Sequence, residues 1–153
     1  MDLARISRGE MLAGVSGALF LLLFFFAEWF GVPEGSDAFA SSVPDLDGWA
    51  SFGFPFDLVL FLAGAAAVAQ ALLRGVGSIP SGLPGRPEQL VVATGTLALL
   101  LVFLRILFPP ELEVGGVEIP GTTREIGAFL ALLASGGMAL GGYLSLGEGP
   151  PRR

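Results

Sequence analysis

The chain has 153 residues, 53% of them hydrophobic and 14% charged, with a formal net charge of −6. Soluble domains carry about 25% charged residues, so this composition excludes a water-soluble globule. It has 23 Gly and 11 Pro but no Cys, His, Lys or Asn. Those absences remove disulfides, thiol nucleophiles, imidazole bases, the usual zinc sites, catalytic lysines and N-glycosylation acceptors.

In chain order, the first apolar run is Met11 to Phe30. It follows Arg5 and Arg8, and Ala38-Phe39-Ala40 has the form of a signal-peptide cleavage site. The run exceeds the 7–15 residues of a signal-peptide core, and the site lies about ten residues past its end, so a retained span is expected. Three more runs follow: Phe56 to Leu73, Leu90 to Phe108 and Ile126 to Leu146. Each of the four has 18 to 21 residues, and about 20 helical residues cross a hydrocarbon core. Helix is expected throughout, because a lone strand in lipid leaves its backbone groups unpaired. The expected fold is a single all-α domain over residues 1–153, an integral membrane four-helix bundle of up-down-up-down form.

Start signals precede each run. Ser7-Arg8-Gly9-Glu10 and Thr122-Thr123-Arg124-Glu125 read as capping boxes for the first and fourth spans. Pro55 and Pro87 suit the first turns of the second and third, where a missing N–H costs nothing.

The connecting segments sort the charge. The two termini and the 74–89 loop carry Arg5, Arg8, Arg74, Arg86, Arg152 and Arg153 against Asp2, Glu10, Glu88 and Glu148, a sum of +2. The 31–55 and 109–125 loops carry Glu34, Asp37, Asp45, Asp47, Glu111, Glu113, Glu118 and Glu125 against Arg124, a sum of −7. The positive-inside rule then places both termini in the cytoplasm and both acidic loops outside, in a bacterial cell (inner) membrane. In the longer outer loop, Asp45 to Phe52 is expected to lie along the surface, as a short helix turn or as a re-entrant segment. Trp29, Trp49 and Phe52 would be interfacial anchors. Asp45-x-Asp47-Gly48 resembles the start of a calcium loop, but position 56 is Phe where a Glu ligand is needed, so no metal is expected.

Small residues recur at helical spacing. The fourth span carries Gly127, Ala131, Ser135 and Ala139, with a second row of Gly137, Gly141 and Ser145; the second span carries Ala63, Ala67 and Ala71. Such rows let helices approach closely in lipid. They suggest that spans two and four face protein while spans one and three show more to lipid, and they serve either intrachain packing or an oligomer face.

Three ionisable residues fall inside the runs: Glu28, Asp57 and Arg105, all near the outer ends. Three roles are open to them. They could snorkel to the headgroups, form a static Glu28–Arg105 pair with Asp57 as second acceptor, or line an outward-facing polar cavity. Gln70, Thr94, Thr96 and Ser135 are the other polar groups in the runs, suited to hydrogen bonds between helices.

Several short motifs carry a resemblance: Arg8-Gly9-Glu10 opening span one and Trp29-Phe30 closing it, Trp49-Ala50-Ser51-Phe52 before Asp57, and Leu83-Pro84 in the inner loop. Arg105 before Phe108-Pro109-Pro110, Gly127-Ala128 and Gly141-Gly142 complete the set. With them the chain resembles uncharacterised small four-span membrane proteins of high-GC actinobacteria. Ala27-Glu28-Trp29-Phe30 departs from the Leu-Pro-Trp-Tyr common in that group, so the resemblance says nothing for Glu28. The resemblance implies no activity. The lack of Lys and Asn, whose codons are AT-rich, agrees with a high-GC genome.

The expected role is therefore that of a non-enzymatic integral membrane protein without a cofactor. Its expected partners are the lipid bilayer and a second copy or a larger membrane complex, with no nucleic acid. The alternative is a transporter or channel-type subunit using Glu28, Asp57 and Arg105.

Overall fold

The computed structural model describes residues 6–32, 46–77, 86–114, 117–119 and 121–148. Four long helices dominate: α1 (Arg8–Phe26), α3 (Phe56–Val76), α4 (Pro87–Leu107) and α5 (Ile126–Gly147). A five-residue helix, α2 (Gly48–Phe52), precedes α3. All four long helices are long and apolar enough to cross a membrane.

The expected runs and the helices differ at their ends for local reasons. The first helix starts at the Ser7 cap, where Ser7 Oγ accepts from Glu10 N–H and Glu10 Oε2 accepts from Ser7 N–H. It stops at Phe26, four residues before the apolar run does. There the Trp29 indole folds back, and its Nε1–H donates at 2.9 Å to Leu23 O, which also accepts the N–H of the cap residue Ala27. The chain leaves as a strand, β1 (Glu28–Gly31). Pro87 occupies the first turn of α4, as its ring suits. Pro55 stands one place before α3, as its cap. The second expected capping box does not form. Thr123 and Arg124 are strand, Glu125 caps α5 without a side-chain bond, and the Thr122 hydroxyl donates to Pro110 O.

The chain is mostly helical and its four long helices pack as the expected bundle, and one end also carries short strands. There β1 is the centre of a three-stranded antiparallel sheet, between β2 (Leu46–Asp47) and β5 (Thr123–Arg124). A separate hairpin, β3 (Leu112–Val114) with β4 (Val117–Ile119), pairs Glu113 opposite Glu118 between α4 and β5. Hydropathy missed β1 because Trp29 and Phe30 are as apolar as a span. What covers them is the chain itself, for both are fully buried.

The four long helices alternate in direction and form a ring, each packed against the next in sequence and α5 closing against α1. The diagonals α1–α4 and α3–α5 touch little or not at all. The small-residue rows account for this order, and spans one and four, not two and four as expected, are the more buried pair. On α5, Gly141 and Ser145 meet Gly9 and Ala13 of α1 backbone to backbone, while Gly137 faces Ser16. The neighbouring face of α5 takes α4, with Gly95 against Met138 and Ala139, and Gly142 against Val92. On α3, Gly64, Ala67 and Ala71 meet Gly14, Gly17, Phe20 and Leu21 of α1. Helix α1 is therefore central. It and α5 bury 39% of the positions in their apolar windows, against 28% for α3 and α4. Ala63, Ala67, Gly127, Ala131, Ser135 and Gly141 are buried; Ala71, Gly137 and Ala139 are half-buried. Close backbone approach brings many weak dispersion contacts together, which is what holds helices once lipid has removed the hydrophobic drive.

Candidate functional site

Polar side chains gather at both ends of the bundle. At the sheet end an aromatic cluster comes first. Phe20 stacks on Phe24, Trp29 sets its edge against both, and Phe25 stacks on Trp49 at 5.5 Å. Helix α2 docks on this cluster, because Gly48 leaves no side chain between it and the rings of Phe24 and Trp29. Its start is fixed by Asp47, whose Oδ1 accepts from Ala50 N–H at 2.7 Å. That bond also gives Asp47, third position of the calcium-loop pattern, a role other than metal ligand; Asp45 lies outside the described residues. The surface segment thus contains a short helix from Gly48 to Phe52. Of the three expected anchors, Trp49 is 40% exposed and Phe52 half-buried, whereas Trp29 is fully buried and no anchor at all.

Glu28, Asp57 and Arg105 share this end but not one site. Glu28 lies outside any helix, exposed on β1 opposite Asp47. Asp57 is buried in the first turn of α3, where its Oδ1 accepts from Leu58 N–H at 2.6 Å. Arg105 is half-buried in the last turn of α4, with its guanidinium carbon 5.8 Å from the centre of the Phe52 ring. Among the described residues no ion pair joins the three. The diagonal placement of α1 and α4 is the reason Glu28 and Arg105 do not meet. Arg124 also reaches this end, its Nε donating to Ile106 O at 2.6 Å.

The opposite end holds a cluster that sequence reasoning missed. Arg74, at the end of α3, lies between Glu10 of α1 and Glu88 of α4. Its Nε stands 2.6 Å from Glu10 Oε1, an ion pair by distance although the N–H does not point at the oxygen. Its terminal nitrogen donates to Glu88 Oε1. The side chains are 22% (Arg74), 5% (Glu10) and 13% (Glu88) exposed. One guanidinium thus links three helices, leaving the trio one negative charge in excess. One turn deeper on α3, Gln70 is buried with its Oε1 unpartnered.

A signal for this cluster was present. Each charge continues the inward stripe of its own helix: Glu10 before Ala13, Gly17 and Phe20; Arg74 after Ala63, Ala67 and Gln70; Glu88 before Val91, Gly95 and Ala98. Summing Arg74 and Glu88 with the 74–89 segment hides it, because both belong to helix ends.

Glu148 completes this end. Its Oε2 accepts from Gly9 N–H at 3.0 Å, joining the end of α5 to the start of α1. That backbone bond, with the Ser7 side chain and the Arg8 charge, holds its carboxyl below the ordinary glutamate range. The other polar groups inside the helices do not bridge helices. Thr94 and Ser135 donate to carbonyls of their own turns, and Thr96 is exposed. Among the described residues no group of three or more acids, His or Cys could hold a metal ion. Comparisons with protein-family models, curated proteins and solved structures found no match.

Proposed function

We propose that this chain is a multi-pass protein of a bacterial cell membrane whose role is assembly in the bilayer, by packing with a second copy or a larger membrane complex, and not catalysis. One observation carries the membrane reading. Large apolar side chains stand exposed along the outer face of every long helix, among them Val15, Leu22, Leu62, Leu100, Phe103 and Leu133. A hydrocarbon solvent accommodates such surfaces and water does not.

The charge asymmetry supports an orientation with both termini cytoplasmic. Arg8, Arg74 and Arg86 stand at the Ser7 end of the helices, and in the sequence the acid-rich segments connect the opposite ends. The resemblance to four-span actinobacterial proteins fits this reading. The transporter alternative is weakened, since Glu28 is exposed on a strand and Asp57 is engaged in its own helix turn.

Reporter fusions test the orientation. A fusion after Arg153 should be active only as a cytoplasmic reporter, and one within residues 33–45 only as an external reporter. An externally active Arg153 fusion refutes the assignment. Co-purification in mild detergent tests the assembly role; a strictly monomeric protein without partners would refute it.

A further inference from the structure

The sheet end holds a cation whose bonding the rest of the fold does not complete. Arg105 Nε is buried and donates to nothing among the described residues. No described carboxylate lies within ion-pair distance of Arg105: Asp57 accepts within its helix turn, Asp47 caps α2, Glu125 accepts from Thr123, and Glu28 and Glu111 are exposed. A second guanidinium reaches the same helix end. Arg124 is bound through Nε to the carbonyl of Ile106, the residue after Arg105, and its side chain is otherwise exposed. Guanidinium groups carry five donors in a planar fork matched to phosphate oxygens. Arg124 is seen to use one donor and Arg105 none.

We propose that Arg105, with Arg124, binds a phosphate-class oxyanion at this boundary, supplied by the headgroup of an anionic lipid. The inference rests on the reading that the bundle spans a membrane. Arg105 lies two residues before the end of α4 at Leu107, within roughly 3 Å of the helix end at 1.5 Å per residue, and so at headgroup depth. The Phe52 ring lies beside it, and Trp49 of the same short helix is exposed, as aromatic side chains are at that level. The acidic segments of this end oppose any anion, but acyl chains hold headgroup phosphates at that depth at high local concentration, which a free anion lacks. That difference favours the lipid over free phosphate as the source.

The test uses the full chain. Incorporation into phosphatidylcholine nanodiscs comes first, and failure there refutes the membrane reading and not this site. Phosphatidylglycerol binding is then measured by native mass spectrometry in mild detergent, and inorganic phosphate is titrated separately against tryptophan emission, Trp29 lying 5.9 Å from the Phe52 ring. R105Q should weaken phosphatidylglycerol binding about tenfold or more, the loss of a charge-assisted bond. R105K, which keeps the charge without the fork, should weaken it several-fold. R86Q, the same charge loss at the opposite end, should leave it unchanged. Binding of phosphatidylglycerol with no phosphate response supports a headgroup source; an Arg105-dependent phosphate response supports the same site for a free oxyanion. Equal binding by wild type and R105Q, or equal loss in R86Q, overturns the proposal. Should R105Q not assemble, R105K and R124Q decide it by the same criterion.

Discussion

Substituting Gly141 by Ala tests whether backbone contact between α1 and α5 holds the bundle together. A Cβ built at Gly141 would stand 2.7 Å from Gly9 O and 2.9 Å from Ala13 Cα, and closer still to Ala13 N. All three are backbone atoms of α1, so no side chain can swing away. Restoring ordinary contact of about 3.4 Å requires the helices to part by some 0.5–1 Å, enough to forfeit a quarter to a half of each dispersion well along the seam. Overpacking of this kind costs about 1–3 kcal/mol. Against it stands the gain of up to about 1 kcal/mol from replacing Gly by Ala within a helix. Gly136, on the same helix, separates the two effects. A Cβ there meets only Leu99 Cδ1 at 3.8 Å, so Gly136→Ala takes the propensity gain without the clash. The difference between the two variants, read from denaturing-detergent unfolding followed by tryptophan emission, should be about 1–3 kcal/mol with Gly141→Ala the less stable. Equal midpoints for the two variants would refute the argument that close backbone approach sets the α1–α5 seam.

Three other predictions follow from the ends of the bundle. Arg74→Gln leaves Glu10 and Glu88 facing each other without a counter-charge. It should destabilise the protein by about 2–4 kcal/mol, the lower part of the buried-pair range because Arg74 and Glu88 keep some exposure; wild-type unfolding would refute the linkage. Glu148, held below its ordinary value when folded, contributes stability that is present above the unfolded glutamate range and is lost as pH falls through the depressed value. Carboxyl NMR should show its midpoint below the ordinary value; an ordinary wild-type midpoint would show that the contact is absent. Trp29→Phe deletes the indole bond to Leu23 O from a fully buried site and should cost about 1–3 kcal/mol. In the Trp49→Phe variant the remaining emission should be blue-shifted and resist aqueous quenchers, and ready quenching would contradict the burial of Trp29.

Helix number, approximate ends and the sorting of charge were legible in the sequence because each depends on neighbours along the chain. An apolar run of sufficient length needs helix in any low-dielectric surrounding, Ser7 and Glu10 satisfy backbone groups three residues apart, and Pro87 suits the first turn of α4 by its own ring. Tertiary structure decided what depends on the other side of a contact. Trp29 and Phe30 read as membrane surface until α2 and the strands cover them. Arg74 and Glu88 read as loop charges until the α1–α3–α4 end brings them beside Glu10. The small-residue rows announce close packing but not the partner, and α1 became the shared neighbour of α3 and α5 through its own Gly9, Gly14 and Gly17. Hydropathy records what a side chain must leave, which is water. Whether lipid or another part of the chain receives it is settled only when the elements meet.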